Sequence, residues 1–173
     1  MEMLLKLVHP TVHSTEGRGL RRDAVRAVIM HGDDILLLYT RRYDDYSLPG
    51  GGLDDGEEML DGLRRELAEE TGAQDVRVAD AIGYIDEYRP SPEPGYDHLF
   101  MRSHIYRCEA SRVLGAAQME HYEISNGMAP EWVDLDAAAA HNEAVIARRD
   151  AGMGMSIIRE TWTLNYLRQL RGR

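Results

Sequence analysis

The chain holds a single cysteine, Cys108, so no internal disulfide can form, and a lone thiol fits a reducing, cytoplasmic setting. No apolar run approaches the length of a membrane span. The apolar start Met3-Leu4-Leu5 is interrupted by Lys6 and is too short for a secretory leader. Basic residues are in deficit, 20 against 30 acidic ones. The resulting net charge of −10 argues against nonspecific binding to nucleic acid or anionic membranes. Internal repeats, low-complexity tracts and linkers are also lacking. What remains is one expected domain over residues 1–173, long enough to bury a core.

What is present centres on residues 51–73, GGLDDGEEMLDGLRRELAEETGA. Leu48-Pro49-Gly50 runs into Gly51-Gly52, which cannot continue a strand or helix, because proline lacks a donor and glycine favours open backbone. Asp54 and Asp55 are expected to cap the following helix, and Glu57 and Glu58 suit its first turn. Leu60, Leu63 and Leu67 recur at helical spacing and predict one buried face. Glu66, Glu69 and Glu70 fall on a shared arc beside it. Carboxylates crowded in the C-terminal half of a helix repel each other and the dipole, which predicts raised pKa values in the cluster. Divalent cations would relieve that repulsion, and hard oxygen ligands select Mg²⁺ or Mn²⁺. The plainer alternative is a solvated helix face rich in Glu and Arg.

The spacing Gly51, Glu57, Arg65-Glu66-Leu67, Glu69-Glu70, Gly72 resembles the signature of the Nudix hydrolases. It departs only at Ala73, where a larger aliphatic residue is usual. The resemblance implies an α+β fold, a Nudix-type α/β/α sandwich with a mixed β-sheet. It implies Mg²⁺-dependent hydrolysis of a nucleoside diphosphate linked to another group, or of a nucleoside triphosphate. Glu66, Glu69 and Glu70 would be the metal ligands, with the Gly51 carbonyl a further one. Glu57 and Arg65 look like the pair that stiffens the junction of loop and helix. Family members often take a catalytic base from outside this box, and Glu120, His121 and Glu123 are the candidates here. A small nucleotide-type substrate is the expected partner, and a homodimer is compatible. Two other readings share the fold. A prenyl-diphosphate isomerase would need a catalytic cysteine, for which only Cys108 is available. A non-catalytic nucleotide sensor would need a basic DNA-binding module, which the chain lacks.

The flanks are less specific. Residues 1–22 read as a surface lead-in ending in Arg18, Arg21 and Arg22. Residues 24–30 and 35–40 predict a hairpin about Gly32-Asp33-Asp34. Arg41, Tyr43 and Tyr46 border the glycine turn. They would either stack on a base and hold an anion, or form a solvated loop with Tyr46 packed beneath. Residues 76–88 and 98–108 predict strands joined by a proline-stiffened loop, and Cys108 then reads as a small core residue. Asn126-Gly127 predicts a second hairpin between residues 119–124 and 130–135. Residues 137–148 are expected to be helical, ending near Gly152. Ser156 is expected to cap a last helix to Leu170, whose stripe Ile158, Trp162, Tyr166 and Leu170 faces the core.

Overall fold

Strand β2 (Gly19–His31) alternates apolar side chains between two faces, and both faces are covered. The computed structural model describes residues 1–149 and 152–172. Val25, Ala27 and Ile29 point to one side and Val28 to the other, all nearly free of solvent. β1 (Met3–Val8) pairs in parallel with β5 (Arg77–Arg89), and β5 pairs antiparallel with β6 (His98–Glu109). β6 then pairs in parallel with β2. β2 turns into β3 (Asp34–Thr40), which pairs with β4 (Asp45–Ser47) and with β7 (Met128–Asp134). The sheet is therefore mixed, in the order β1-β5-β6-β2-β3-β4, with β7 joined to β3.

Helix α1 (Met59–Thr71) lays Leu63 and Leu67 on Val25, Ala27, Ile29 and Cys108. On the opposite face α3 (Leu135–Arg148) and α4 (Ile157–Arg171) bury Ala138, Ala139, Leu164 and Leu167 against Val28, Ile35, Leu37 and Ile105. This is the expected α+β sandwich, with helices on both sides of a mixed sheet. No described helix is long and apolar enough to cross a membrane.

The detail that builds the site lies where β2 and β3 part. Their hairpin pairs at only two positions, Met30 with Ile35 and His31 with Asp34. The edge of β2 opened in this way is taken by the glycine segment. Ala27 N–H donates to the Pro49 carbonyl at 2.9 Å, Val25 N–H to Gly51 at 2.9 Å, and Leu53 N–H to Asp23 at 2.9 Å. Gly50 has φ 128°, and a Cβ there would stand 2.1 Å from the Val25 carbonyl oxygen. Only glycine lets the turn seat on the strand.

Several local expectations are corrected. Residues 1–22 are not merely a lead-in. They form β1, with Leu4, Leu5 and Leu7 on the core, and Arg21 and Arg22 lie within β2. The partners of these strands come from residues far along the chain, which local patterning cannot reveal. The segment 119–124 is no strand. Glu120 and Glu123 form a capping box that opens α2 (His121–Asn126), and Gly127 at φ 70° ends it. Asn126-Gly127 is therefore a helix stop, and β7 pairs with β3 instead.

Neither Asp54 nor Asp55 caps α1; the helix starts after Glu58, without a side-chain cap. Leu60 is an exposed residue of its first turn, so the buried face begins at Leu63. α3 begins at Leu135 with Asp134 accepting from Ala137 N–H at 2.9 Å, and ends at the left-handed Arg149, short of Gly152. Residues 150 and 151, in that expected tail, lie outside the described residues. In α4, Ser156 makes no side-chain cap, Ile158 is exposed, and Trp162 and Leu170 only flank the core, with Trp162 stacked on Tyr166 at 5.2 Å. The helix buries Ile157, Leu164 and Leu167, and with them Arg159, Glu160, Thr161 and Thr163, which no hydrophobic stripe could show.

Candidate active site

The glycine turn is a cradle for two carboxylates of α1. Gly50 N–H donates to Glu70 Oε2 at 2.6 Å. A Cβ on Gly51 would stand 2.6 Å from the Glu66 carboxyl, so the absent side chain is what lets Glu66 reach the turn. The Gly51 carbonyl accepts from Val25 N–H at 2.9 Å.

Arg65 is the hub of the box. Its Nε and Nη2 grip both oxygens of Glu57 at 2.8 and 2.9 Å, and its Nη1 donates to Glu66 at 2.9 Å and Glu69 at 3.1 Å. Arg65 Nη2 also donates to the Gly52 carbonyl at 3.2 Å, and Asp54 N–H donates to Glu57 at 3.0 Å. The bidentate pair thus staples the loop to the helix. Those hydrogen bonds hold the Glu57 carboxyl down at about 2, Arg65 contributing most.

Two carboxyls that face the cavity, Glu70 and Glu66, behave oppositely. Glu70 is pushed up to about 8, chiefly by burial, which outweighs the nearby Arg26 charge and the Gly50 N–H. Glu66 is also raised, again chiefly by burial and in spite of Arg65. The sequence pointed to like-charge crowding as the reason. In the fold, loss of solvent leads and crowding adds to it.

Three arginines that sequence reasoning passed over line the same cavity as these carboxyls. Arg26 donates from Nη1 to the carbonyls of Leu48 and Gly50, beneath the turn. Its Nε is buried without a partner among the described residues. Arg159 pairs with Glu87 and Glu160, and Arg89 pairs with Glu87 at 2.8 Å. Burial pushes the Glu87 carboxyl up, but Arg159 and Arg89 together outweigh it and leave it below its ordinary value. Glu160 in turn accepts the Leu48 N–H at 3.0 Å, tying α4 to the same turn. The available signal was Arg26, a cation set among the apolar residues Ala24, Val25, Ala27 and Val28. Arg159-Glu160 carried none, since adjacent charges on a helix usually face water.

The cavity has a volume of about 570 Å³. It brings together Gly50 to Gly52, Glu66, Glu69, Glu70, Tyr43, Glu120 and Glu123 with the three arginines. Glu120 and Glu123 reach it through the capping box of α2, with Glu123 also accepting from Tyr122 O–H at 3.0 Å. His121 is not among its lining residues, and neither are Arg41, Tyr46 or Cys108. Arg41 N–H caps the end of α2 on the Gly127 carbonyl at 3.2 Å. Tyr46 packs between Tyr39 and His141 and donates to Glu131 at 3.3 Å. Cys108 lies in the core beside Leu63 and Leu67, where burial pushes its thiol up to about 11. An isomerase reading therefore has no cysteine in the cavity. Arg21 and Arg22 border a separate, open depression beside residues 52–57.

The donor chemistry suits a hard divalent cation. Glu66, Glu69, Glu70 and the Gly51 carbonyl offer only oxygens, and the glycine cradle lets two buried carboxyls meet the turn. Among the described residues, however, no three of His, Cys, Asp and Glu converge closely enough to hold a metal by themselves. Glu66 and Glu69 lean to Arg65, and Glu70 leans to Gly50. Such a set fits Mg²⁺, which takes a few carboxylates and completes its shell from water and substrate phosphates.

Residues 20–151 match the family model described as NUDIX domain. A curated relative from Dictyostelium discoideum, cleavage and polyadenylation specificity factor subunit 5, is 31% identical over 66% of this chain and 62% of its own length. The oxidized purine nucleoside triphosphate hydrolase of Mus musculus is 32% identical over 50% of this chain and 47% of its own. The chain thus spans less than two thirds of either relative. A solved NUDIX hydrolase from Nitrosomonas europaea superposes with a TM-score of 0.58 at 16% identity, covering 86% of this chain and 90% of that one. That likeness is one of fold.

Proposed function

The chain belongs to the NUDIX domain family, and from that premise we propose that it is a divalent-cation-dependent hydrolase of phosphoanhydrides. The substrate class is a nucleoside diphosphate linked to another group, or a nucleoside triphosphate. One observation carries this reading. Glu66, Glu69 and Glu70 and the arginines Arg26, Arg89 and Arg159 line one cavity with the glycine turn. The mouse relative, named for the hydrolysis of a nucleoside triphosphate, supports the substrate class.

Each group has a task that its setting suits. Glu66, Glu69 and Glu70, with the Gly51 carbonyl, would hold the cation, which when bound supplies positive charge to the anhydride oxygens. Arg65, fixed by Glu57, keeps Glu66 and Glu69 oriented on the helix. Arg89 and Arg159, held in place by Glu87 and Glu160, would offer guanidinium N–H donors to the phosphates. Glu120 and Glu123, cavity carboxylates from outside the box, would accept a proton from the attacking water. The products are a nucleoside monophosphate and a phosphorylated group, or a monophosphate and pyrophosphate.

The experiment is a panel of nucleotide derivatives assayed for phosphate-bearing products with Mg²⁺, with EDTA, and with Mg²⁺ restored. Turnover should vanish in EDTA and return with Mg²⁺ or Mn²⁺. Full turnover in metal-free buffer would remove the mechanism.

A further inference from the structure

We propose that Asp45 selects the base of the nucleotide, by accepting the paired N–H donors of a guanine-type edge. The inference rests on the hydrolase reading for its cavity, and goes beyond it in naming the base.

Asp44 and Asp45 are neighbours with opposite fates. Asp44, at φ 53°, is engaged by Tyr39 O–H at 2.9 Å, by His141 at 3.1 Å and by Arg148. Asp45 opens β4 opposite Thr40, is only 6% exposed, and lines the cavity. Its carboxyl makes no hydrogen bond or ion pair with any described residue. A cavity-lining carboxyl with no protein partner is free to accept hydrogen bonds from a ligand. Burial, with Glu160 nearby, pushes it up to about 6, so it is still mostly ionised at neutral pH.

Its surroundings leave room beside the carboxyl where a side chain would otherwise stand. Gly154 comes down over Asp45 and Tyr43. A Cβ there would stand 3.0 Å from Asp45 Oδ2 and 3.4 Å from the Tyr43 ring. A side chain at 154 would crowd that carboxyl oxygen. At about 570 Å³ the cavity is of the size that takes a small-molecule ligand whole, so base and anhydride can be held together.

The chemistry of the acceptor chooses among bases. A carboxylate presents two acceptor oxygens and no donor. Guanine offers N1–H and the 2-amino group side by side. Hypoxanthine has lost the second donor, adenine offers one donor beside an acceptor, and uracil flanks its N–H with carbonyls that a carboxylate repels. Discrimination of this kind is large when the unmatched analogue leaves a buried polar group unpaired.

The test compares kcat/KM for guanosine, inosine and 2′-deoxyguanosine triphosphates at saturating Mg²⁺, in wild type and Asp45→Asn. Wild type should favour guanosine over inosine by at least about tenfold, with the deoxy compound close to guanosine. In Asp45→Asn the guanosine and inosine values should fall within about threefold of each other. Calorimetric binding of guanosine and inosine monophosphates to metal-free wild type reads the same preference without turnover and without any variant. Equal affinities in that measurement, or a guanosine preference that survives Asp45→Asn, overturn the assignment. Loss of turnover with the deoxy compound also overturns it, since a ribose hydroxyl would then be the donor. If wild type hydrolyses none of the panel yet binds the guanosine monophosphate selectively through Asp45, the hydrolase reading fails and this one stands.

Discussion

Glu70 carries a conflict between two local effects. A hydrogen bond from Gly50 and the charge of Arg26 favour its ionised form, and burial opposes it more strongly. An acid whose folded pKa stands above its unfolded value favours folding while protonated. Its contribution is complete below about 4.5 and is lost as pH rises to about 8. In metal-free buffer Glu70→Gln should therefore be more stable than wild type at pH 8, by roughly 4 kcal/mol, and the gap should close by about pH 5. Saturating Mg²⁺ should reverse the order at pH 8, because the cation stabilises only the folded wild type. A gap that ignores pH would mean that burial does not act on this carboxyl. In turnover, Glu70→Gln should lose at least ~100-fold if, as proposed, Glu70 is one of the charges that hold the cation. A loss under threefold would exclude Glu70 as a ligand.

Elements show why some of this was legible and some was not. β5 and β6 fell within one residue of the strands expected over 76–88 and 98–108, because their apolar alternation is local. α2 was read as half of a hairpin, because an Asn-Gly pair serves equally as a hairpin turn and as a helix stop. The capping box of Glu120 and Glu123 decides for the helix. Gly127→Ala should cost about 1–3 kcal/mol, since φ is 70° and the new Cβ would stand 3.0 Å from Arg41 Cβ. Urea midpoints measure this, and no change would deny the strained cap. α4 holds the turn through Glu160. Glu160→Ala leaves Leu48 N–H unpartnered and strips Arg159 of one carboxylate, for a loss of about 3–5 kcal/mol. A midpoint within experimental error of wild type would show that the buried network is not tight.

At the scale of the whole molecule the site exists because distant parts close on one turn. β2 supplies the edge, α1 the carboxylates, α4 and β5 the arginines, and α2 two more acids. Tyr43 and Tyr46 looked equivalent in sequence, each an aromatic beside the turn. The fold separates them: Tyr43 lines the cavity, and Tyr46 packs under α3 between Tyr39 and His141. Tyr43→Ala should therefore alter the ranking of substrates with little change in melting temperature. Tyr46→Ala should lower stability by roughly 3 kcal/mol, as for other large aromatic truncations, and leave the ranking alone. A nucleotide panel and thermal melts on both variants decide it, and the opposite pattern would place Tyr46 in the site.

The sequence by itself determined the family, the sandwich, the carboxylates of α1 and the glycine turn they meet, because each depends on residues close together in the chain. A helix of this spacing must present Glu66, Glu69 and Glu70 together wherever it packs. Only the tertiary structure decided what stands across from them. Arg26, Arg89, Arg159 and Asp45 are scattered over three strands and a helix. The cavity they line is held together by contacts between residues as far as 112 apart, as the Leu48–Glu160 hydrogen bond shows. Desolvation is a property of the enclosed volume, and no local spacing encodes it.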